Sequence, residues 1–208
     1  MIIAVLASGE GTTLQAVLDA CAAGRLPARV GVVISNNRTA GALRRARAAG
    51  VPARHLSALT AGTEAAVDQV LRDTLLEFDA QWVLLAGYMK RLGPLTLAGF
   101  AGRILNTHPA LLPEFGGRGM YGLNVHRAVL AAGRRQSGAT VHWVDATYDT
   151  GTMIRQVRVP VETGDSAESL AARVQAAERG LVVEVLAAAA SGRLKPPPDP
   201  GGARSAIS

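Results

Sequence analysis

Residues 103–117 read RILNTHPALLPEFGG, and the rest of the chain is organised around this stretch. It begins as a short apolar strand and ends in a loop rich in proline and glycine. Asn106 and His108 are two residues apart on the strand, so their side chains should project to the same side. An amide donor and an imidazole aimed at one point suit a developing oxyanion and a proton transfer. A capped strand end with a hydrogen-bonded core histidine remains the alternative from these residues alone.

The composition favours one α/β domain with a substantial hydrophobic core. Of the 208 residues, 49% are apolar, and 22 basic residues against 16 acidic ones give a formal charge of +6. Arg44, Arg45 and Arg47 form the densest basic cluster, which we interpret as a solvated helix face because no aromatic residues interleave it. The positive balance favours anionic small molecules as ligands rather than nucleic acid.

The single cysteine and the N-terminal residues indicate the cellular compartment in which the protein is expected. Cys21 alone allows no disulfide framework and no cysteine-based metal site, so a buried small hydrophobe is its default interpretation. The opening MIIAVLAS has no basic segment and continues into a glycine loop, which predicts a strand rather than a signal peptide. Because no run of about twenty apolar residues occurs, we expect a soluble, cytoplasmic protein without membrane contact.

Strands and helices alternate along residues 1–109. The apolar pattern predicts buried strands at 2–7, 30–35, 82–86 and from 104 onward, a weak strand at 53–56, and helices at 14–24, 39–50, 63–77 and 94–100. This alternation predicts a parallel sheet in a Rossmann-like half, with ligands beyond the carboxyl ends of the strands. The loops expected at that edge are 8–13, 36–37, 87–92 and 106–117.

The hydrophobic pattern over residues 110–195 predicts an antiparallel extension of the sheet. A helix at 122–132 precedes two strands of alternating character, at 139–144 and 153–161. Asp165, with Glu168 as its capping-box partner, is expected to begin a long helix that ends near residue 190. We therefore predict one domain over 1–195, followed by a disordered proline- and glycine-rich tail over 196–208.

The glycine loop SGEGTT at 8–13 follows a strand and precedes a helix, which presents free backbone N–H groups to an anion. A dinucleotide fingerprint would need glycine at position 14, where Leu14 stands, and an acid at the end of the second strand, where Asn36 and Asn37 stand. A single phosphate monoester is therefore favoured over NAD. A tight turn without a ligand is the alternative.

Several polar side chains leave two interpretations open. Gln175 and Glu178 share one helix face, where they would either bind a polar ligand or face solvent. Asp145 and Asp149 lie in one loop, and their spacing does not decide which of them faces a site. His142, on a strand with alternating neighbours, is expected to be buried and hydrogen-bonded. No metal-ligating set with close spacing is visible.

Eight segments of the chain together resemble one known family. They are, in order, SGEGTTLQA, ISNN, LAGYMKRL, ILNTHPALLPEFGG, VHWVDATYDTG, IRQVRVPV, GDS and RVQAAE. Over about residues 1–195 the chain resembles the folate-dependent formyltransferases, whose superfamily is marked by the Asn-x-His-Pro and Asp-x-Gly segments. The glycine loop and the helix carrying Gln175 and Glu178 favour the branch that acts on glycinamide ribonucleotide.

The resemblance implies the formyltransferase fold and a metal-free reaction in purine (IMP) biosynthesis. A formyl group would pass from 10-formyltetrahydrofolate, the co-substrate, to the amine of glycinamide ribonucleotide. By the same resemblance, the catalytic residues are Asn106, His108 and Asp149. The ribonucleotide-binding residues are Gly11, Thr12, Thr13, Gln175 and Glu178, and the folate-binding residues are Met89, Lys90, Arg91, Leu92, Asp145, Ala146, Thr147 and Tyr148.

The residue types suit that chemistry. Asn106 and a protonated His108 would donate hydrogen bonds to the tetrahedral oxyanion. Asp149 would keep His108 charged and relay the proton of the amine toward the folate nitrogen. Lys90 stands where the family commonly has arginine, and the loop over 115–124 is longer than in the short-loop bacterial form, which leaves the role of this loop open.

Other functions stay open at this point. Methionyl-tRNA formyltransferase and formyltetrahydrofolate deformylase share the chemistry, but both normally carry a further domain for which this chain has no room. A non-catalytic sugar-phosphate-binding module is a different class, against which the catalytic residue types argue. An NAD-dependent oxidoreductase is disfavoured by Leu14. An exposed sheet edge would permit a homodimer.

Overall fold

The chain forms a single sheet with helices on both faces, as seen in a computed structural model whose described residues are 1–147 and 149–196. Apart from its first residue, the predicted tail lies outside the described residues. The elements in chain order are β1 (Ile2–Leu6), α1 (Thr12–Ala22), β2 (Arg29–Ser35), α2 (Gly41–Ala48), β3 (Ala53–His55), α3 (Ala58–Ala61), α4 (Glu64–Glu77), β4 (Trp82–Leu85), α5 (Pro94–Gly99), β5 (Ile104–His108), α6 (Leu123–Ala131), β6 (Gln136–Trp143), β7 (Met153–Pro160) and α7 (Ala167–Ala190).

The strands are ordered β3-β2-β1-β4-β5-β6-β7. β1 to β5 pair in parallel, whereas β6 and β7 are antiparallel additions on the β5 side. The order runs outward from β1 in both directions, and this reversal creates a crevice at the carboxyl ends of β1 and β4. The predicted α/β class, with a mostly parallel sheet and an antiparallel extension, is confirmed.

Two hydrophobic clusters cover the two faces of the sheet. The larger cluster lies between the sheet and α1, α2 and α7, and it includes Leu105 of β5. The smaller cluster contains Leu71 and Leu75 of α4 together with Ile104 of β5. Because strand side chains alternate, Asn106 and His108 share the face of Ile104, beside the smaller cluster.

The start of α7 differs from the prediction. Ser166, not Asp165, is the N-cap, and Ser169 rather than Glu168 completes the capping box. Asp165 instead accepts two hydrogen bonds of 2.8 Å from the Arg173 guanidinium. Because this bidentate ion pair occupies the Asp165 carboxylate, Ser166 caps the helix instead.

α7 is the longest helix of the described chain, with 24 residues. It packs against β6, β7, α1 and α6, and thereby connects the antiparallel extension to the first half of the sheet. No helix within the described residues is both long enough and apolar enough to cross a bilayer.

Candidate active site

Asn106 and His108 meet at the carboxyl end of β5, as their spacing predicts. Both side chains approach Asp149: Asn106 Nδ2 lies 3.4 Å from Asp149 Oδ1, and His108 Nδ1 lies 3.5 Å from Asp149 Oδ2. His108 is buried and Asn106 is half-buried. The strand therefore presents an amide and an imidazole to one point beyond its end.

The structure distinguishes the two aspartates whose spacing left the choice open. Asp149 reaches the strand-end pair, and its Oδ2 also accepts a 2.9 Å hydrogen bond from the Gly117 N–H. Asp145 accepts instead from the Thr147 N–H and the Thr150 hydroxyl, both within its own loop. Asp149 has a φ of 55°, a left-handed conformation that turns its carboxylate toward the site.

His142 is buried and hydrogen-bonded, as expected, and it also belongs to the site. Its Nδ1 donates to the Trp143 carbonyl oxygen at 2.7 Å, so in the neutral ring Nε2 is an acceptor. Nε2 lies 3.0 Å from Asn106 Nδ2. The contact fixes the orientation of the Asn106 amide, with its nitrogen between His142 and Asp149.

The protonation states follow from burial and from these contacts. Burial lowers the pKa of His108, and the nearby His142 adds to this, while the Asp149 carboxylate and the Phe115 carbonyl act in the opposite direction. Burial alone would raise the pKa of Asp149, but hydrogen bonds and charges from His142, His108 and Gly117 hold it below its usual range. Asp149 is thus a carboxylate at neutral pH, whereas His108 is mainly neutral in the substrate-free protein. Burial therefore opposes the protonated form of His108 that the chemistry predicts, and the Asp149 carboxylate favours it.

The glycine loop has the predicted position between β1 and α1. Gly11 has a φ of 73°, and a Cβ added there would lie 2.7 Å from the Cα of Ala42. Only glycine fits this close approach of the loop to α2. Thr12 is exposed at the first position of α1 and Thr13 is buried. The loop therefore leaves the N–H groups of the helix start open to an anion.

Thr13 connects the glycine loop to α7. Its hydroxyl donates a 2.9 Å hydrogen bond to Glu178 Oε1. Burial raises the pKa of Glu178, and the hydroxyls of Thr13 and Thr107 oppose that shift. Gln175, one turn earlier, is exposed. The predicted pair is therefore split into a buried carboxyl beside the loop and an amide open to solvent.

A pocket connects the carboxyl end of β5 to the predicted folate segments. Its wall includes Asn106, His142 and Asp149, and it brings together six of the predicted folate-binding residues: Lys90, Arg91, Leu92, Asp145, Ala146 and Thr147. The Arg91 guanidinium donates to the Ala146 carbonyl and so joins the two walls. Lys90 pairs with Glu64 at 3.5 Å. Met89 lies outside this lining, and Tyr148 lies outside the described residues.

Ser8 joins three loops at the carboxyl edge of the sheet. Its hydroxyl donates to Asn36 Oδ1 and accepts from the Met89 N–H at 2.8 Å. Its own N–H donates to the Gly87 carbonyl at 3.0 Å. The glycine loop and the segment at 87–92 are therefore held in fixed relation. Over residues 1–147 and 149–196, no three His, Cys, Asp or Glu side chains form a group suited to a metal ion.

Comparison with known proteins identifies the family. A family model described as formyl transferase matches residues 1–186. The chain belongs to the formyl transferase family. A phosphoribosylglycinamide formyltransferase of Escherichia coli is 40% identical over 195 residues, which cover 94% of this chain and 90% of the relative. A chloroplastic one of Vigna unguiculata is 41% identical, but the chain spans only 62% of its length.

Solved structures agree with this formyl transferase assignment. Glycinamide ribonucleotide transformylase 1 from Symbiobacterium toebii superimposes with a TM-score of 0.88 at 43% identity, over 93% of this chain and 89% of that one. A phosphoribosylglycinamide formyltransferase from Coxiella burnetii also gives a TM-score of 0.88, at 36% identity over 95% and 90%. The formyltransferase fold implied by the sequence motifs is confirmed.

Two site residues of this formyl transferase were missed by sequence reasoning as functional groups. His142 stands opposite Asn106 in the β5–β6 pairing, but that register is not visible in the sequence. Once two antiparallel neighbours are assumed, period-two alternation would place His142 on the face of Asn106. In the sequence Ser8 is only the start of the glycine loop, and its contacts with two other loops have no local signature.

Proposed function

We propose that the chain transfers a formyl group from 10-formyltetrahydrofolate to the amine of glycinamide ribonucleotide, giving N-formylglycinamide ribonucleotide and tetrahydrofolate in purine biosynthesis. The observation that carries this proposal is that Asn106 and Asp149 line one pocket, with His108 Nδ1 3.5 Å from the Asp149 carboxylate. The relatives named phosphoribosylglycinamide formyltransferase support the choice of substrates.

The first step is attack of the substrate amine on the formyl carbon carried by the folate N10. A new C–N bond forms, and the carbonyl electron pair moves to oxygen. The Asn106 Nδ2 group donates to His142 Nε2 at 3.0 Å and to Asp149 Oδ1 at 3.4 Å, and the longer contact with Asp149 is the one that it exchanges for this oxyanion. A preorganised donor is more effective here than water, because it needs no reorientation as charge develops.

The second task is to move one proton from the attacking amine to the leaving folate nitrogen. Neutral His108 and ionised Asp149 form a pair that accepts this proton. The resulting imidazolium lies beside the oxyanion and stabilises it. When the C–N10 bond breaks, the proton passes to N10, and the pair returns to its starting state.

The rest of the site brings the reactants together. The loop at Gly11–Thr13 binds the substrate phosphate through backbone N–H groups. Glu178 and Gln175 bind the ribonucleotide, and the segments at 89–92 and 145–147 form the folate-binding walls. Holding amine and formyl carbon side by side removes much of the entropic part of the barrier. We place this reaction in the cytoplasm.

The direct test is to mix both substrates with the protein and follow the release of tetrahydrofolate. We expect turnover that requires glycinamide ribonucleotide. Release with water alone would identify a deformylase, and release only with charged initiator tRNA would identify a tRNA formyltransferase. Binding of the ribonucleotide without any turnover would instead favour a sugar-phosphate-binding module.

A further inference from the structure

The segment Phe115–Gly117 contacts both members of the His108–Asp149 pair through its backbone. The Phe115 carbonyl oxygen lies 2.7 Å from His108 Nε2, and the Gly117 N–H donates to Asp149 Oδ2 at 2.9 Å. A carbonyl oxygen only accepts hydrogen bonds, so the proton of the neutral imidazole must reside on Nε2. The neutral ring then carries its lone pair on Nδ1.

This tautomer decides which nitrogen takes part in proton transfer. Nδ1 lies 3.5 Å from Oδ2 of Asp149, a residue that lines the pocket and also accepts from Asn106. Nε2 faces the loop and stays protonated. His108 therefore gains and loses its proton at Nδ1, the nitrogen that faces the Asp149 carboxylate.

The local backbone is built for this contact. Phe115 has a φ of 55°, which is unusual for a non-glycine residue, and its ring packs against the larger hydrophobic cluster. A Cβ at Gly116 would lie 2.5 Å from Leu112 Cδ2 and 3.4 Å from the Asp149 Cβ. Gly117 follows with a φ of 91°. A side chain at 116 would push the segment away from Asp149.

We propose that Phe115–Gly117 is a positioning segment, which fixes the Nε2–H tautomer of His108 through the Phe115 carbonyl and holds the Asp149 carboxylate through the Gly117 N–H. Its catalytic consequence rests on the proposed formyl transfer, but the tautomer and the carboxylate contact do not. The segment acts through His108 and Asp149 and need not touch either substrate.

The first experiment is nitrogen-15 NMR of the histidine rings in the unmodified protein. The chain has four histidines, so His108 is assigned by comparison with the His108→Asn variant. Above the pH at which His108 titrates, we expect Nε2 to be protonated and Nδ1 to show the shift of an unprotonated ring nitrogen. A proton on Nδ1, or an equal mixture of tautomers, would overturn the proposal whether or not the protein transfers formyl groups.

The second experiment compares Gly117→Ala with Gly119→Ala. Both positions have left-handed φ values, 91° and 87°, and at both an added Cβ meets nothing within 4 Å. The two substitutions therefore strain the same loop equally, but only Gly117 bonds to Asp149. We expect Gly117→Ala to lower kcat by about ten- to a hundredfold, to shift the pH profile of kcat, and to leave both KM values within about threefold.

Gly119→Ala should keep kcat and the pH profile close to those of the unmodified protein. Equal losses in the two variants would overturn the proposal, because the effect would then belong to general loop strain. An unchanged pH profile of kcat in a folded Gly117→Ala protein would also overturn the proposal. If the unmodified protein has no formyltransferase activity, the proposed function fails, and the titration of His108 by NMR in the two variants still decides the role of the segment.

Discussion

Replacing Asp149 with asparagine removes a carboxylate that contacts both strand-end residues, Asn106 and His108. Asparagine has nearly the same shape, so the change isolates charge and hydrogen bonding. Asp149 accepts from Asn106 on Oδ1 and from the Gly117 N–H on Oδ2. An amide has only one acceptor oxygen, so one of these donors will face an NH₂ group instead. We expect a stability loss of about 1 kcal/mol, because the pocket is open to water.

The effect on catalysis should be much larger than the effect on stability. At 3.5 Å and an effective dielectric constant of about 20, a unit charge on Asp149 interacts with a charge on His108 by roughly 5 kcal/mol, before other terms offset it. Without the carboxylate, the pKa of His108 falls further, and the imidazolium formed during proton transfer loses its counter-charge. Loss of this acid–base function should lower kcat by about a hundred- to ten-thousandfold.

The assay is steady-state release of tetrahydrofolate, measured well below the melting temperature of each variant. We expect the KM for glycinamide ribonucleotide to change little, since the glycine loop does not contact Asp149. Asp145→Asn is the comparison variant, and it should act on the KM for folate because Asp145 lines that wall. Asp73→Asn makes the same chemical change at an exposed position of α4 and should leave all constants unchanged.

Two results would refute the reasoning about Asp149. Near-normal kcat in a folded Asp149→Asn protein would show that the carboxylate takes no part in proton transfer. A kcat loss in Asp145→Asn as large as that expected for Asp149→Asn would move the function to the other aspartate.

Three further substitutions test the binding side of the site. Gly11→Ala should cost about 1–3 kcal/mol of unfolding free energy and raise the KM for the ribonucleotide, and an unchanged KM would remove the loop from phosphate binding. Ser8→Ala loses two side-chain hydrogen bonds, so we expect the KM for folate to rise about tenfold, as steady-state kinetics will show. Glu178→Gln should stabilise the protein at neutral pH, because burial raises the pKa of Glu178 and thereby disfavours its charged form. That gain should vanish below the carboxyl's unfolded pKa, and thermal unfolding from pH 4 to 8 that shows no such trend would contradict it.

The fold could be predicted because its signals are local. Continuous apolar strands such as 30–35 and 82–86 require a sheet covered on both faces, and intervening helices require parallel connections. The detail that was wrong depends on a side-chain contact that the local capping pattern does not show. Asp165 and Ser166 are both good N-caps, and Arg173, two turns along the same helix, draws the Asp165 carboxylate into an ion pair, which leaves Ser166 as the cap.

The candidate site was predictable in part for the same reason. Period two places Asn106 and His108 together, and a glycine loop between a strand and a helix indicates an anion site. The choice between Asp145 and Asp149 depends on the course of a loop, and the contribution of His142 depends on the strand register. Neither is determined by residue types along the chain.

The backbone conformation at the site explains why sequence patterns do not predict its geometry. Within the described residues, the non-glycine positions with positive φ are Asp79, Phe115 and Asp149. Two of these three supply groups to His108: a carbonyl to Nε2 and a carboxylate to Nδ1. Such conformations cost of order 1–3 kcal/mol each and persist only where the surrounding structure imposes them. The sheet thus fixes where His108 lies, and two strained loop residues fix which of its nitrogens can exchange a proton.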